Sequence, residues 1–446
     1  MFRKILIANR GEIAMRLIRA CHAVGAIPVT IHSEADAQAP HATQAESYLV
    51  GPPPVAASYL NAARILEIAQ AAGCDAVHPG YGLLSENAAF ARQVEAAGLV
   101  WVGPPPEAIA AMGDKVEARR FMAAAGVPVV PGTSQPTPDV EAARSQADGI
   151  GYPVMLKAAH GGGGIGMQLV ASPDEFDKAY KLCSSRARAY FGNGDLYLEK
   201  AVVRPRHVEI QVLADAHGHV VHLGERECSI QRRHQKVVEE AGSPAVSAAL
   251  REEMGAVAVA AARKLGYVNA GTLEFLLDAS GRYYFLEMNT RLQVEHPVTE
   301  FVARMDLAVW QLRIAAGESL DFGQEAVRHE GHAIEVRIYA EDPVTGMPSP
   351  GTVEQVAWPE NVRVDTFIAD GSVISPHYDP LLAKLVVHGT DRQHAVAHLI
   401  EALDGVRLTG LKTNLPLLRR VAAHPHFASA QIDTGFLERI DQPVLV

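Results

Sequence analysis

The sequence predicts a mixed α/β and α+β protein of several domains, which opens with a doubly wound parallel sheet. Over about the first hundred residues, short apolar strands alternate with helices, and this order is typical of a parallel sheet covered by helices. The chain has 446 residues, more than one hydrophobic core usually supports, so we expect two to four domains. Its 48% of hydrophobic and 20% of charged residues are those of a globular protein.

The elements of this first region can be predicted one by one. An apolar strand leads into the turn Asn9-Arg10-Gly11, and the next segment has apolar residues at helical spacing. No G-x-G-x-x-G motif follows the first strand, which weakens the case for dinucleotide binding. The predicted elements are strands at 4–8, 27–32 and 75–78 and helices at 12–24 and 59–72.

Proline-rich segments divide the remainder of the chain. The clearest predicted linker is 131–138, which contains three prolines and follows a predicted helix at 109–125. Beyond it the sequence predicts both strands and helices. We expect strands at 153–157, 167–170, 207–213, 272–278, 282–288 and 362–367, and helices at 251–265 and 394–403.

Charge and cysteine content exclude several classes of protein. A formal net charge of −11 argues against general binding to nucleic acid or to an anionic membrane. The four cysteines are scattered without a C-x-x-C pair, which indicates reduced thiols. No segment approaches the roughly 18 apolar residues of a membrane span. From these observations we expect a cytoplasmic protein.

A run of glycines is the first candidate binding element. Gly161-Gly162-Gly163-Gly164 lies between two predicted strands and leaves the backbone free to bring N–H groups against phosphate oxygens. It is not a Walker A loop, because no Lys-Ser/Thr ends it and no helix follows. A lid folding over a nucleotide fits this pattern, with a disordered surface hairpin as the alternative. Lys157 and Lys115 are candidate phosphate partners, or else solvated charges.

The strongest signal lies in two predicted strands that share a short connection. A two-residue turn at Ser280-Gly281 would pair residue 279 with residue 282 and place Glu274 opposite Glu287. Two carboxylates so close repel each other, and a divalent cation removes that cost. A site made of oxygen ligands suits Mg²⁺ or Mn²⁺, which bridge nucleotide phosphates.

Polar residues continue past the second strand at every second position. If the chain stays extended, one face presents an acid, an amide, a guanidinium, a second amide and a second acid. The alternative is an ordinary solvated strand face. The residues concerned are Glu287, Asn289, Arg291, Gln293 and Glu295.

A basic cluster in this acidic chain indicates an anion site. It is Gln231-Arg-Arg-His-Gln-Lys236, and the alternative is a solvated basic loop. The turn motifs at 9–11 and 78–82 are explained equally well by backbone geometry. Cys228 is interpreted as a packed side chain rather than as a nucleophile.

Together these segments resemble the biotin carboxylase family, which has the ATP-grasp fold, along nearly the whole chain. The motifs at 231–240 and 287–297 are long enough to be highly specific. The matching stretches are Ile7-Ala-Asn-Arg-Gly-Glu-Ile13, His78-Pro-Gly-Tyr-Gly82, Leu84-Ser-Glu-Asn87, Met112-Gly-Asp-Lys115, Arg206-His-Val-Glu-Ile-Gln-Val212, Gln231-Arg-Arg-His-Gln-Lys-Val-Val-Glu-Glu240 and Glu287-Met-Asn-Thr-Arg-Leu-Gln-Val-Glu-His-Pro297.

The resemblance implies three domains and a role for each candidate residue. The domains are an N-terminal α/β domain at 1–112, an ATP-grasp domain at 113–320 with a mobile lid at about 131–203, and a C-terminal domain at 321–446. The glycine loop, Lys115, Lys157, Glu199, His207, Gln231 and His234 would contact ATP. Glu274, Glu287 and Asn289 would hold two Mg²⁺ or Mn²⁺ ions; Arg291, Gln293 and the backbone of Val294 would bind bicarbonate, with Lys236 nearby; Glu295 would deprotonate bicarbonate; and Arg337 would stabilise the biotin enolate.

The implied reaction is ATP-dependent formation of carboxyphosphate, which breaks down to CO₂ beside biotin. The released phosphate takes the N1′ proton, and a fixed guanidinium stabilises the charge that develops on the ureido oxygen. The sequence contains no Ala-Met-Lys-Met biotinylation segment, so we expect a separate biotin carboxyl carrier protein. Family resemblance further implies carboxyltransferase partners and a homodimer.

Two departures from the family pattern leave the final carboxyl acceptor open. Many members have a further glycine in place of His160 and a basic residue in place of Ile165. The isoleucine form is similar to urea carboxylases and to some acyl-CoA carboxylase subunits. The alternatives are therefore a urea-type carboxylase, another ATP-grasp ligase that makes carboxyphosphate, and a catalytically silent nucleotide-binding subunit.

Overall fold

The computed structural model describes residues 1–133, 135–137, 139–158, 167–233 and 235–440. These residues form two compact units. The main unit contains 1–127, 206–275 and 286–446, and the inserted unit contains 128–205 and 276–285. The glycines Gly161 to Gly164, together with His160, Ile165 and His234, lie outside the described residues.

A parallel sheet with helices on both faces opens the main unit, as predicted. Its strand order is β3-β2-β1-β4-β5, so the order reverses beside β1. Ile5 and Ile7 of β1 pack with α1 on one face, whereas Leu6 faces the opposite cluster. The strands are β1 (Lys4–Ile7), β2 (Ile27–Ser33), β3 (Glu46–Gly51), β4 (Ala76–His78) and β5 (Val100–Trp101), and the helices are α1 (Gly11–Ala23), α2 (Pro40–Thr43), α3 (Ala62–Ala71) and α4 (Ala88–Ala96).

The single helix predicted at 109–125 is wrong, because the structure has two helices there. They are α5 (Pro106–Gly113) and α6 (Lys115–Ala124). Asp114 between them has an extended backbone, with φ −94° and ψ 115°, and its carboxylate accepts hydrogen bonds from the N–H groups of Val116 and Glu117, both at 2.9 Å. A side chain that caps a new helix is invisible to a periodicity argument.

The inserted unit is a small antiparallel sheet with two helices. The sheet has the order β7-β6-β8, and its buried core includes Val154, Leu156 and Leu198. The segment 131–138, which was predicted as a linker, is attached to the sheet, because Gly132 and Thr137 form β-bridges with residues of β8. The elements are α7 (Val140–Ile150), β6 (Val154–Ala158), β7 (Met167–Val170), α8 (Phe176–Phe191) and β8 (Leu196–Lys200).

An eight-stranded sheet forms the rest of the main unit's framework. Its order is β13-β12-β9-β10-β11-β14-β19-β17, so strands from the last third of the chain continue the sheet begun by β9 to β13. Two short two-stranded ribbons, β15 with β18 and β16 with β20, accompany it. The strands are β9 (Arg206–Ala214), β10 (Val220–Arg232), β11 (Gln235–Ala241), β12 (Asn269–Leu277), β13 (Tyr283–Asn289), β14 (His332–Tyr339), β15 (Gly351–Thr352), β16 (Gln355–Ala357), β17 (Arg363–Thr366), β18 (Val373–Ile374), β19 (Leu381–Gly389) and β20 (Arg407–Thr409).

Helices cover this sheet and contribute to its core. Among the described helices, none is both long and apolar enough to cross a bilayer. The helices are α9 (Ala248–Leu265), α10 (His296–Ala303), α11 (Leu307–Ala315), α12 (Arg392–Gly405), α13 (Leu415–Ala422), α14 (Pro425–Ala428) and α15 (Phe436–Ile440).

The two faces of the eight-stranded sheet differ in polarity. On one face Ile334, Val336 and Ile338 of β14 join the largest hydrophobic cluster. Because side chains alternate along a strand, Glu335 and Arg337 point to the other face. Both are buried. The sheet therefore carries a layer of charged side chains that are removed from water, and such groups must be paired or neutralised.

Candidate active site

Lys236 on β11 is the centre of the charged layer. Its Nζ donates hydrogen bonds to Glu209 at 2.6 Å, to Glu274 at 2.9 Å and to Glu295 at 2.6 Å. Burial opposes the charge of this ammonium, but the three carboxylates outweigh burial and raise the pKa of Lys236 well above its usual value. One cation therefore links strands β9, β11 and β12 to the segment before α10.

Glu295 is a buried carboxylate held between two cations. It is 0% exposed, and in addition to Lys236 it accepts a hydrogen bond from Nη2 of Arg337 at 3.0 Å. Burial opposes ionisation, but the charges of Lys236, Arg337 and Arg226 hold the pKa of Glu295 far below its usual range. The side chain is ionised and aligned, as a residue that accepts a proton from a bound acid must be.

Arg337 on β14 is fixed from a second direction. Its Nε donates to Oε1 of Glu239 at 2.6 Å. Neighbouring carboxylates, Glu239 foremost, outweigh burial and raise the pKa of Arg337 above its usual value. A guanidinium in a dry site, held by two carboxylates, is a preorganised source of positive charge.

Glu274, Glu287 and Asn289 lie at the other end of the layer. Glu274 accepts a hydrogen bond from Nδ2 of Asn289 at 2.8 Å and lies 2.9 Å from Nε2 of His207. Lys236 and His207 overcome burial and hold the pKa of Glu274 well below its usual value. Burial and the negative charge of Glu274 raise the pKa of Glu287. The charge of Glu274 therefore acts on Glu287, as expected of two neighbouring carboxylates.

The turn between β12 and β13 is longer than the two-residue turn that the sequence predicted. The N–H of Asp278 donates to the carbonyl oxygen of Arg282 at 2.8 Å, so three residues, not two, connect the strands. Gly281 adopts φ +84°, which the third position of such a turn requires. The predicted pairing of residues 279 and 282 is wrong by one residue at the turn, because a third loop residue cannot be recognised from the sequence alone.

This site fits a divalent cation. Two carboxylates and an amide supply oxygen ligands, the type that Mg²⁺ and Mn²⁺ prefer. Burial and the charge of Glu274 outweigh the positive charges of Lys115, His207 and Lys236, so the pKa of Glu287 is raised. Ligand atoms of His207, Glu209 and Glu274 also lie within 4.8 Å of one another. A cation beside Glu274 and Glu287 would remove their mutual repulsion.

The segment after Asn289 is not extended, contrary to prediction. The strand ends at that residue, and α10 begins at His296 after an irregular turn. The polar side chains nevertheless converge through hydrogen bonds. Arg291 donates to Oδ1 of Asn289 at 2.8 Å and to Oε1 of Gln293 at 2.9 Å, while Gln293 donates to Glu274 at 3.0 Å. Hydrogen bonds between the side chains, and not the alternation of an extended strand, therefore bring Asn289, Arg291 and Gln293 together.

The predicted ATP contacts fall into two groups. In the main unit, Gln231 is hydrogen-bonded to Nδ1 of His207 at 2.8 Å, and Lys115 stands at the start of α6, where its charge lowers the pKa of Glu287. In the inserted unit, Lys157 of β6 forms an ion pair with Glu199 of β8. His234 and the four glycines of the loop lie outside the described residues.

Several residues of the charged layer were missed by the sequence argument. Arg226 is 0% exposed and donates to Glu209, to Gln211 and to two threonine hydroxyls. Lys384, also 0% exposed, donates to the carbonyl oxygen of Val294 at 2.9 Å. For Lys384 a signal was present in the sequence, since a single lysine interrupts the apolar run of β19. For Arg226 on β10 the pattern shows only its partners, because Glu209 and Gln211 alternate with apolar residues along β9.

Glu86 was quoted as part of a motif but was given no role. Its carboxylate accepts hydrogen bonds from the N–H of Thr290 at 3.1 Å and from Nε of Arg291 at 2.9 Å. It therefore fixes the first residues of the irregular turn. Cys228 is buried with its Sγ 3.9 Å from Glu295, and burial raises the pKa of its thiol, as expected of a packed cysteine and not of a nucleophile.

Replacing Lys236 by methionine should destabilise the protein by about 3 kcal/mol near neutral pH, because three buried carboxylates lose their shared cation. The pKa values of Glu274 and Glu295 are depressed in the folded protein, so this stability is present above their unfolded pKa and is lost as pH falls. The difference between wild type and Lys236→Met should therefore shrink below about pH 4.5. Urea unfolding across pH measures it.

The exposed Lys412–Asp342 pair provides the control for that experiment. Lys412→Met should change the free energy of unfolding by at most about 1 kcal/mol, since an exposed ion pair contributes little. Equal losses in the two variants would contradict the central position of Lys236.

Comparison with known proteins gives a consistent result along the chain. The model of the biotin carboxylase N-terminal domain matches residues 1–109, that of the carbamoyl-phosphate synthase L chain ATP-binding domain matches 114–322, and that of the biotin carboxylase C-terminal domain matches 335–439. Biotin carboxylase 2 of Bacillus subtilis is 54% identical over 442 residues, which are 98% of this chain and 100% of that protein.

Solved structures agree with this assignment. The biotin carboxylase of Campylobacter jejuni, in complex with β-γ-ATP, matches with a TM-score of 0.92 and 41% identity over 98% of this chain and 99% of that one. The biotin carboxylase domain dimer of 2-oxoglutarate carboxylase from Hydrogenobacter thermophilus, with MgADP, ADP and bicarbonate, matches with a TM-score of 0.91 and 45% identity over 99% of both chains. The chain described here belongs to the biotin carboxylase family of ATP-dependent enzymes.

Proposed function

We propose that this enzyme uses ATP and bicarbonate to carboxylate biotin on a separate biotin carboxyl carrier protein, through carboxyphosphate, as the first half-reaction of acetyl-CoA or another acyl-CoA carboxylase. The observation that carries the proposal is the ionised, buried Glu295 between Lys236 and Arg337. One residue is placed to accept a proton from bicarbonate, and its two partners carry the positive charge that the anionic reactants need.

Proton transfer to Glu295 follows from how its charge is balanced. In the free enzyme both cations stabilise its ionised form, which makes it a weak base. Bicarbonate and the phosphates of ATP bring negative charge to the same cations. When Lys236 and Arg337 also bind these anions, they stabilise the ionised form of Glu295 less, and its pKa rises. Substrate binding therefore makes Glu295 a stronger base. Arg291, Gln293 and the backbone of Val294 would hold bicarbonate beside it.

Glu274, Glu287 and Asn289 are proposed to hold two Mg²⁺ or Mn²⁺ ions, the number that the family resemblance implies. Bound ions would supply the positive charge that neutralises the phosphates of ATP. Lys115, His207 and Gln231 belong to the main unit, and Lys157 and Glu199 to the inserted unit; the glycines at 161–164 lie outside the described residues. Their contacts with ATP remain proposals, as do the domain boundaries at 112 and 320 and the lid at about 131–203.

Biotin carboxylation needs a cation where the ureido oxygen becomes negative. Arg337 supplies it in the proposed mechanism, and the phosphate released from carboxyphosphate takes the N1′ proton. The relatives support more than one final acceptor. The alpha subunit of methylcrotonoyl-CoA carboxylase from Oryza sativa is 48% identical over 99% of this chain, which spans 61% of that protein. A urea-type carboxylase is the alternative.

The partners of the enzyme follow from this chemistry. Carboxybiotin must be consumed by a carboxyltransferase, and a homodimer is proposed because the matching Hydrogenobacter thermophilus domain is described as a dimer. A cytoplasmic location is proposed on the basis of the reduced cysteines.

ATP hydrolysis by the purified protein should depend on bicarbonate and should accelerate when free biotin is added, because biotin removes the CO₂ released from carboxyphosphate. A coupled assay for ADP with and without biotin measures this. Identical rates in both conditions would favour another ligase that makes carboxyphosphate.

Glu295→Gln should leave ATP binding intact and lower biotin carboxylation at least about tenfold, since the amide cannot accept the bicarbonate proton. Nucleotide titration and carboxybiotin formation measure the two effects. Glu330→Gln, at an exposed glutamate, serves as the matched control and should behave like wild type. Unchanged turnover in Glu295→Gln would remove this residue from the role of base.

Glu287→Lys should abolish Mg²⁺-dependent ATP use, because an ammonium group then occupies the neighbourhood of Glu274 where the cation would bind. The adjacent, exposed Leu286 provides the control, and Leu286→Lys should retain activity. Mg²⁺ titration of ATP hydrolysis measures both variants. A fully active Glu287→Lys enzyme would contradict the metal assignment.

A further inference from the structure

Glu335 is a buried acid to which the mechanism above gives no role. It lies on β14, two residues before Arg337, and it is 0% exposed. Neither of its carboxylate oxygens has a hydrogen-bond partner among the residues that the structure describes. A buried polar group without a partner is costly, so this residue must satisfy its oxygens in some other way.

Glu239, the residue opposite Glu335 on the neighbouring strand, also has a carboxylate oxygen without a hydrogen-bond partner among the described residues. Glu239 of β11 pairs with Glu335 in antiparallel register. Its Oε1 accepts the hydrogen bond from Arg337, while its Oε2 has no partner within the described part of the chain. Paired residues have Cβ atoms about 5 Å apart, a distance that two carboxyl groups can close. Three unpartnered oxygens thus belong to two facing residues.

The surroundings make a second full charge at this place unfavourable. One side of the pair is an apolar cluster, and neither cation on the other side donates a hydrogen bond to Glu335: Arg337 donates to Glu239 and Glu295, and Lys384 donates to Val294. The apolar cluster consists of Ala241, Val298, Val302, Ala333 and Val386. A proton shared between the two acids satisfies the facing oxygens and removes one charge.

We propose that Glu335 is a positioning residue: as the neutral acid it donates its O–H to Oε2 of Glu239, and this acid–carboxylate pair holds the Arg337 guanidinium in the orientation that carboxylation requires. The role of Arg337 in this statement rests on the proposed function. The pairing itself rests on strand register, burial and the unpartnered oxygens.

The charged groups around Glu335 are consistent with a single shared proton. Glu239 faces it from β11, Lys384 from β19, Arg337 from its own strand and Glu295 from the turn before α10. On α10, Nδ1 of His296 is bonded to a backbone oxygen, and Glu300 is paired with Arg16 and Arg363. Burial, reinforced by Glu239 and Glu295, outweighs the charges of Lys384 and Arg337 and raises the pKa of Glu335 well above its usual value.

Two substitutions separate this role from simple packing. Glu335→Gln keeps a donor for Glu239 but cannot ionise, whereas Glu335→Leu fills the space and leaves Oε2 of Glu239 without a partner. We expect Glu335→Leu to lower the kcat for biotin carboxylation about tenfold with an unchanged KM for ATP, and Glu335→Gln to restore most of it. Ile334→Val, on the opposite face of β14, is the control for a general disturbance of this strand.

Stability provides a test that does not depend on activity. Glu335 is protonated when folded and ionised when unfolded at neutral pH, so unfolding releases a proton and wild-type stability falls as pH rises above the unfolded pKa. The Glu335→Gln variant cannot ionise at this position, so its stability does not fall with pH for this reason. Its melting temperature should therefore increase relative to wild type between about pH 5 and pH 8. The infrared carbonyl band of a protonated carboxylic acid should be present in wild type and reduced in Glu335→Gln.

The outcomes distinguish this proposal from the proposed function. A constant difference in melting temperature across pH, or an unchanged infrared carbonyl band, would overturn the shared proton. Glu335→Gln as inactive as Glu335→Leu, or both as active as wild type, would overturn the positioning role. If wild type itself does not carboxylate biotin, the proposed function fails, and the stability and infrared measurements still decide the protonation of Glu335.

Discussion

The structure of the charged layer depends on one ammonium group. Lys236 neutralises carboxylates from β9, from β12 and from the turn before α10, and these three carboxylates are buried. Without that cation three buried negative charges would repel one another, and at least one would have to take a proton. The candidate base and the candidate metal ligands are thus stabilised by the same interaction.

From this centre, cations and carboxylates alternate across the sheet. Arg226 holds Glu209, Lys236 joins Glu209 to Glu295, and Arg337 joins Glu295 to Glu239. Glu209, Lys236, Glu295 and Arg337 each have an oppositely charged partner on both sides, so a change at one position alters the electrostatic balance at the next. An anionic substrate that binds here competes with the carboxylates for the same cations. Because a carboxylate that loses its cation binds a proton more readily, substrate binding is coupled to the protonation of these acids.

The fold could largely be predicted, and the site could be predicted in part. Alternating strands and helices gave the parallel sheet, because a covered parallel sheet leaves a strong periodic signal. The break at Asp114 and the three-residue turn before Arg282 were missed, since each depends on a local hydrogen bond. Lys384 and Arg226 were also missed, because a buried cation looks like a surface charge until its partners are known. The family resemblance predicted roles for Glu295 and Arg337, but only the fold shows that they are hydrogen-bonded to each other.

The continuity of the eight-stranded sheet has a consequence for how the protein can be divided. Strands β14, β17 and β19 extend the sheet that β9 to β13 begin, and they contribute Arg337 and Lys384 to the same charged layer as Lys236. Cutting the chain near residue 320 would leave an unpaired strand edge on each fragment and would separate Glu295, the candidate base, from Arg337. Exchange of the last third of the chain with a relative would therefore replace one side of the candidate active site, and sequence differences there would change the contacts of Glu295.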